Sequence, residues 1–153
     1  MRSFFETRPS LSHTSTRQRA TRPLALDRSR ARTLAGALAA ARTALGVVAY
    51  LAPTVPARPW VGRDEAARPS VRLFARTLGA RDLALGLGAL LALRSGGDVR
   101  GWIEAGGLAD AGDTVATLAN FADLPRVTRW GVLASTVGAA ALAALLAPVV
   151  DRG

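Results

Sequence analysis

The stretch from Trp130 to Val150 constrains the fold most, because its 21 residues include no charged side chain. An α-helix rises about 1.5 Å per residue, so a helix of this length matches the roughly 30 Å hydrocarbon core of a bilayer. Three further apolar stretches precede it. The sequence therefore predicts an all-α protein, a four-transmembrane-helix bundle over residues 33–150, with spans at 33–52, 70–93, 99–119 and 130–150.

The first 32 residues differ in composition from the rest of the chain. They hold eight of the twenty basic residues, all of them Arg, mixed with Ser, Thr and Pro and without apolar periodicity. We expect residues 1–32 to form a disordered Arg-rich tail. No apolar segment of a secretory signal precedes Thr33, and an organellar transit peptide is the alternative interpretation of the tail.

The position of the basic residues predicts the orientation in the membrane. Cytoplasmic ends of membrane spans carry an excess of Arg, so we expect the tail on the cytoplasmic side, next to anionic lipid headgroups. Four spans then return the C-terminus to that side. The predicted localisation is a bacterial cytoplasmic (inner) membrane, with the protein multi-pass and in contact with the lipid bilayer.

Composition narrows the classes of function. The net charge of +9 would suit a nucleic-acid partner, but the tail alone contributes eight Arg against Glu6 and Asp27, a net of six charges. We therefore expect lipid and no nucleic acid. The chain has no Cys, and its one His, His13, lies in the tail. Because Cys and His are the usual ligands of structural and catalytic metal sites, we expect no metal and no cofactor inside the bundle.

Five ionisable residues lie near the middle of the first three spans, and counting the helix rise from the cytoplasmic end puts them in one slab. A charged side chain that faces lipid at this depth costs several kcal/mol, so we expect the five to face inward and to pair across helices. They are Arg42, Arg81, Asp82, Asp110 and Asp113. Arg76 and Glu104 lie nearer the span ends and are secondary candidates.

Two hypotheses about this polar layer stay open. With two Arg against three Asp, one carboxylate lacks a full partner, and such a group can carry a proton or hydrogen-bond a polar ligand. Alternatively, the five residues form a closed salt-bridge network that fixes helix register. The first span also carries small residues at Gly36, Ala40 and Ala44, which predicts a face where helix backbones approach closely.

The second span contains Gly-Ala-Arg-Asp-Leu-Ala-Leu-Gly at residues 79–86, and the third span has acids at Asp110 and Asp113. This Gly-x-Arg-Asp-x-x-x-Gly motif resembles that of small four-helix bacterial and fungal membrane proteins of the DoxX-like sort. The resemblance covers residues 33–150 and excludes the tail. It implies a four-helix membrane fold without an established activity, and it points to Arg81, Asp82 and one of the two third-span acids.

The leading functional interpretation is an integral membrane protein that acts as an accessory subunit or binds a small polar or quinone-like ligand in its polar layer. A proton-coupled carrier or channel subunit that works as a homo-oligomer is one alternative. A small membrane enzyme that uses an intramembrane Asp as acid or base is another. A soluble Ala-rich helical bundle is the remaining alternative, and the uncharged Trp130–Val150 stretch argues against it.

Overall fold

A computed structural model describes residues 26–151 of the chain, and every regular element in that range is a helix. The helices are α1 (Arg28–Leu51), α2 (Thr54–Val61), α3 (Arg63–Ala66), α4 (Pro69–Ser95), α5 (Arg100–Ala119) and α6 (Arg129–Leu146). The all-α prediction is confirmed. The connection between the first two predicted spans contains the short helices α2 and α3, which sequence inspection did not anticipate.

The first long helix begins at Arg28 rather than at Thr33. Asp27 caps it, since its carboxylate accepts the backbone N–H of Arg30 at 2.9 Å. A side chain that accepts one of the free N–H groups of the first turn stabilises a helix start. The end of the predicted tail is therefore helical, and the prediction of disorder for residues 1–25 lies outside the described residues.

The other long helices begin and end close to the predicted positions. Pro69 occupies the first turn of α4, where its missing N–H removes no hydrogen bond. Gly96 ends that helix with φ +72°, a left-handed conformation that suits Gly. The last helix ends at Leu146 rather than at Val150, because Pro148 cannot donate the hydrogen bond that would continue it.

The long helices associate as two pairs. α1 packs most extensively against α4, and α5 packs against α6, whereas the α4–α5 and α1–α6 contacts are much sparser. A cluster of buried apolar side chains joins the two pairs at the end where α1 begins and α6 ends. It includes Ala31, Ala35, Val99, Ile103, Ala143 and Leu146.

The size distribution of the apolar side chains is opposite to that of a soluble protein. Nine of the fifteen buried apolar residues in the described range are Ala, while 22 large apolar side chains are exposed. Among the exposed ones are Leu108 at 75%, Phe74 at 68% and Leu145 at 64% of their full accessible area. Exposed apolar surface on this scale marks a surface that contacts something other than water.

Two helices are long and apolar enough to cross a membrane. The most apolar 18-residue windows of α1 and α6 have mean hydropathies of 1.6 and 1.5, and only 22% of each window is buried. A core helix of a soluble protein would be mostly buried. Four spans were predicted, but α4 and α5 do not meet the criterion of an apolar 18-residue window with at most two charged residues. Every 18-residue window in either helix carries at least three.

Candidate functional site

Close packing of α1 against α4 positions the polar residues of both helices. The buried face of α4 consists of Gly79, Asp82, Gly86 and Ala89, which recur at the helical spacing. A Cβ added at Gly79 would lie only 2.8 Å from the Cβ of Ala49 and 2.9 Å from the backbone oxygen of Gly46. The two backbones therefore meet where side chains are absent, and Asp82 is carried into the α1–α4 interface.

This interface does not use the face of α1 that the sequence suggested. Ala40 and Ala44 of the predicted small-residue stripe are exposed, and Gly36 is half-buried. The buried residues of α1 are Ala31, Ala35, Ala39, Gly46 and Ala49. The prediction was wrong because both sets have small side chains at helical spacing, and the rotation of the helix about its axis decides between them.

Arg42 of α1 lies at the centre of the polar layer. Its Nη1 donates to Oδ1 of Asp82 on α4 at 3.0 Å, and its Nη2 forms an ion pair with Oδ2 of Asp110 on α5. The same Nη2 also reaches the backbone oxygen of Gly106 at 3.3 Å. A Cβ at Gly106 would lie 3.3 Å from Nε of Arg42, so the absence of a side chain makes room for the guanidinium.

Arg81 of α4 forms the second half of the layer. Its Nη1 and Nη2 donate to the two carboxylate oxygens of Asp113 on α5, at 3.2 and 2.8 Å. Its Nη2 also lies 3.2 Å from Oδ1 of Asp82. A bidentate arginine–carboxylate pair of this kind fixes orientation as well as distance.

All five predicted residues are thus brought together. They form one continuous series of alternating charges, which we call the polar network. In order along the series they are Asp110, Arg42, Asp82, Arg81 and Asp113. The series links α1, α4 and α5, and so it crosses the sparsely packed boundary between the two helix pairs.

Burial varies along the polar network. The side chains of Arg42, Asp82 and Asp110 retain 9%, 12% and 11% of their accessible area, whereas Arg81 and Asp113 retain 31% and 27%. Three carboxylates against two guanidinium groups give the network a formal charge of −1. Guanidinium groups separate the carboxylates, so the network does not offer the converging oxygens that a metal ion requires, and residues 26–151 contain no cluster with that donor set.

The two secondary candidates lie outside the polar network. Nε of Arg76 donates to the backbone oxygen of Tyr50 at 3.1 Å and so satisfies a free carbonyl at the end of α1. Glu104 is exposed and pairs with Arg100 one turn away, at 2.6 Å. Both side chains stabilise helix ends or the helix surface.

A second polar cluster, at the end where α5 begins, was missed by sequence inspection. Oδ2 of Asp151 accepts the backbone N–H groups of Val99 and Arg100, each at 2.7 Å, and Oδ1 pairs with Nη1 of Arg32 at 3.0 Å. Asp151 follows the last helix, so one carboxylate caps α5 and ties it to α1. The signal in the sequence was a single acid after an uncharged span, which by itself names no partner.

Comparison of the chain with protein-family models, with curated proteins and with solved structures finds no match. The resemblance of residues 79–86 to the DoxX-like motif stays a prediction that rests on those residues alone.

Proposed function

We propose that this chain is an integral membrane protein of the cytoplasmic membrane whose four long helices all cross the bilayer. The observation that carries the proposal is the outward placement of large apolar side chains together with the inward placement of mid-helix charges. Lipid solvates exposed Leu, Val and Phe, but it cannot solvate a charge. The mid-helix charges of α4 and α5 belong to the polar network and are paired inside the bundle. The other charges of these helices, such as Arg76 and Glu104, lie nearer the helix ends, where long side chains reach the headgroup region. The charges therefore do not prevent either helix from lying in lipid.

Within such a bundle, we infer that the polar network is a joint that holds the α1–α4 pair against the α5–α6 pair. Two features support this role: each of the three carboxylates has an arginine partner, and the cavity that adjoins Arg42 has a volume of only about 10 Å³. A space of that size holds at most one water molecule. A protein of this kind would serve as an accessory subunit of a larger membrane assembly.

A second candidate function is proton binding coupled to transport. It is favoured by the excess of carboxylates over guanidinium groups in the polar network. It is also favoured by the second oxygens of Asp82 and Asp110, Oδ2 and Oδ1 respectively, which accept no hydrogen bond from residues 26–151. Because each of these oxygens is free while its neighbour is ion-paired, the network can take up one proton without losing its bonds to Arg42.

Membrane extraction and topology mapping test the primary proposal. We expect the full chain to resist alkaline carbonate and to require detergent for release. A reporter fused after Gly153 should be active in the cytoplasm, whereas a reporter inserted between Ala66 and Pro69 should be active outside. Release into buffer without detergent, or a C-terminal reporter active only outside the cytoplasm, would contradict the proposed arrangement.

Measurement of proton movement across a vesicle membrane separates the two candidate roles of the polar network. Purified protein in vesicles that contain a pH-sensitive dye should leave an imposed pH gradient intact if the polar network is only a joint. Dissipation of the gradient by the native chain, but not by the Asp110→Asn variant, would favour the proton-coupled function.

A further inference from the structure

A groove opens to the surface between α4 and α5, close to the start of α5. It has a volume of about 370 Å³ and is lined by Leu85 of α4, by Asp98 of the connection, and by Gly101, Trp102 and Ala105 of α5. The groove lies on the sparsely packed boundary between the two helix pairs. The groove is therefore an opening in this boundary, and the polar network bridges the same boundary farther along the helices.

The small cavity beside Arg42 shares part of its lining with this groove. Leu85 and Trp102 line both spaces, so the Trp102 indole stands where they meet. The indole packs on Gly88 of α4, where an added Cβ would overlap the ring. Beyond it, the cavity is bounded by residues of all three helices of the network, including Leu38, Arg42 and Gly106.

We propose that this groove is a water entrance to the polar network, with Trp102 as the gate between the groove and Arg42. The proposal rests on the membrane placement given above. Water is the occupant that fits, because the inner cavity has room for one molecule and carries the guanidinium of Arg42 in its wall, while Asp98 stands at the outer mouth. Along α5 the route from Gly101 to Asp110 covers about 14 Å at the usual helix rise.

The route connects the polar network to one end of the bundle only. It starts at the end of the bundle where α1 begins, which is the end predicted to be cytoplasmic. Water that reaches Arg42 meets the network at its most buried part, where Asp82 and Asp110 lie, whereas Arg81 and Asp113 lie at the other, more exposed end of the series. A proton carried by this water would come from the cytoplasmic side. If the polar network binds protons for transport, the entrance therefore defines the side from which they arrive, and the entrance itself does not depend on that function.

Cysteine labelling tests the entrance directly, because the chain contains no Cys of its own. Single variants Leu85→Cys and Ala105→Cys place a thiol in the groove. Leu87→Cys and Leu91→Cys place one on the outer face of α4, where the native side chains are 43% and 63% exposed. A charged, membrane-impermeant thiol reagent is added to sealed vesicles whose cytoplasmic face is outward, because the proposed entrance opens on that side. Because a thiol in apolar surroundings stays protonated and inert, we expect the groove positions to react at least about tenfold faster than the outer-face positions.

The gate is tested in a second pair of variants. Leu38→Cys lies in the inner cavity, and Leu34→Cys lies one turn away on the exposed face of the same helix. Labelling of Leu38→Cys should rise when Trp102 is replaced by Ala and stay low when it is replaced by Phe. Leu34→Cys should not respond to either replacement. Equal labelling of Leu38→Cys in the chain with native Trp102 and in the chain with Trp102→Ala would overturn the role of Trp102.

The outcomes also separate this inference from the membrane proposal. Slow labelling at groove and outer-face positions alike would overturn the water entrance and leave the membrane placement standing. Fast labelling at both would show that the outer face meets water, which overturns the membrane placement and the entrance with it. Ala105→Cys changes an exposed small residue, so it reports on the groove even if Leu85→Cys does not fold.

Discussion

Arg42 forms an ion pair with Asp110 although the two residues lie on helices that pack mainly against other partners, α1 against α4 and α5 against α6. The guanidinium therefore connects the two helix pairs by a polar contact where apolar packing is sparse. The same side chain also pairs with Asp82 at 3.0 Å, so its loss would leave two buried carboxylates with fewer partners. Removal of Arg42 should therefore affect both the two carboxylates and the contact between the helix pairs.

Replacing Arg42 by Met should destabilise the bundle strongly. The substitution keeps an unbranched apolar chain next to the backbone but removes the guanidinium, which leaves Asp82 and Asp110 buried without their shared cation. Removing one member of a buried ion pair typically costs about 3–5 kcal/mol. Thermal unfolding in detergent should show a large drop in Tm, and the triple variant with Asp82→Asn and Asp110→Asn in addition should recover part of it.

The exposed pair of Arg100 and Glu104 is the matched control for this experiment. Its side chains retain 57% and 50% of their accessible area, and surface pairs contribute at most about 1 kcal/mol. If Arg42→Met unfolds no earlier than Arg100→Met, or if the triple variant is no more stable than the single one, the polar network does not act as a joint.

Gly79→Ala should disrupt the α1–α4 interface. Its added Cβ would lie 2.8 Å from the Cβ of Ala49, which forces the backbones apart, and overpacking of this kind typically costs about 1–3 kcal/mol. Gly112→Ala on α5 is the control, because nothing lies within 4 Å of its added Cβ. We expect Gly112→Ala to keep or raise the Tm, since Ala favours a helix over Gly by up to about 1 kcal/mol. Equal effects of the two variants would count against close approach at Gly79.

Asp151→Asn should lower stability at neutral pH by weakening the cap on α5. Loss of a helix cap typically costs about 0.5–2 kcal/mol. Burial alone would raise the pKa of Asp151, but the hydrogen bonds that its carboxylate accepts from the N–H groups of Arg100 and Val99, together with the charge of Arg32, bring the pKa below its usual value. A lowered pKa in the folded state means that the stabilisation is present above the unfolded pKa of about 4 and is lost as the pH falls through the folded pKa.

The pH dependence gives this prediction a distinctive readout. Native protein and Asp151→Asn should differ in Tm at about pH 7. The difference should begin to shrink below about pH 4 and disappear once the pH has fallen through the lower, folded-state pKa of Asp151, because both side chains are then uncharged. Asp123→Asn, at an exposed acid in the α5–α6 connection, should match the native protein at every pH. A constant difference between the native and Asp151→Asn curves down to the lowest pH would show that the charge of Asp151 is not what stabilises the start of α5.

Two truncations should differ in stability because the first helix begins earlier than the sequence suggested. Compared with a chain that lacks residues 1–25, one that lacks residues 1–32 also loses the Asp27 cap, the fully buried Ala31 and the ion pair of Arg32 with Asp151. We expect a clearly lower Tm in detergent for the longer deletion. The same Tm for both would mean that residues 27–32 contribute nothing to the bundle.

The sequence by itself determined the helical class, the approximate limits of the long helices and the identity of the polar residues that meet. These follow from local and solvent terms: an uncharged stretch of this length forms a helix, Pro and Gly mark where helices begin and end, and a mid-helix charge is costly unless it faces a partner. None of these terms depends on which helix lies beside which.

The tertiary structure decided the pairings and the packing faces. Sequence could not choose Ala39 and Gly46 over Ala40 and Ala44 as the contact face of α1, because small side chains lie on both sides of that helix. It could not assign Arg42 to both Asp82 and Asp110, or predict that Asp151 caps a helix some fifty positions earlier. The rotation of each helix and the distance between helix ends come from contacts summed over the whole bundle, and only the folded chain contains them.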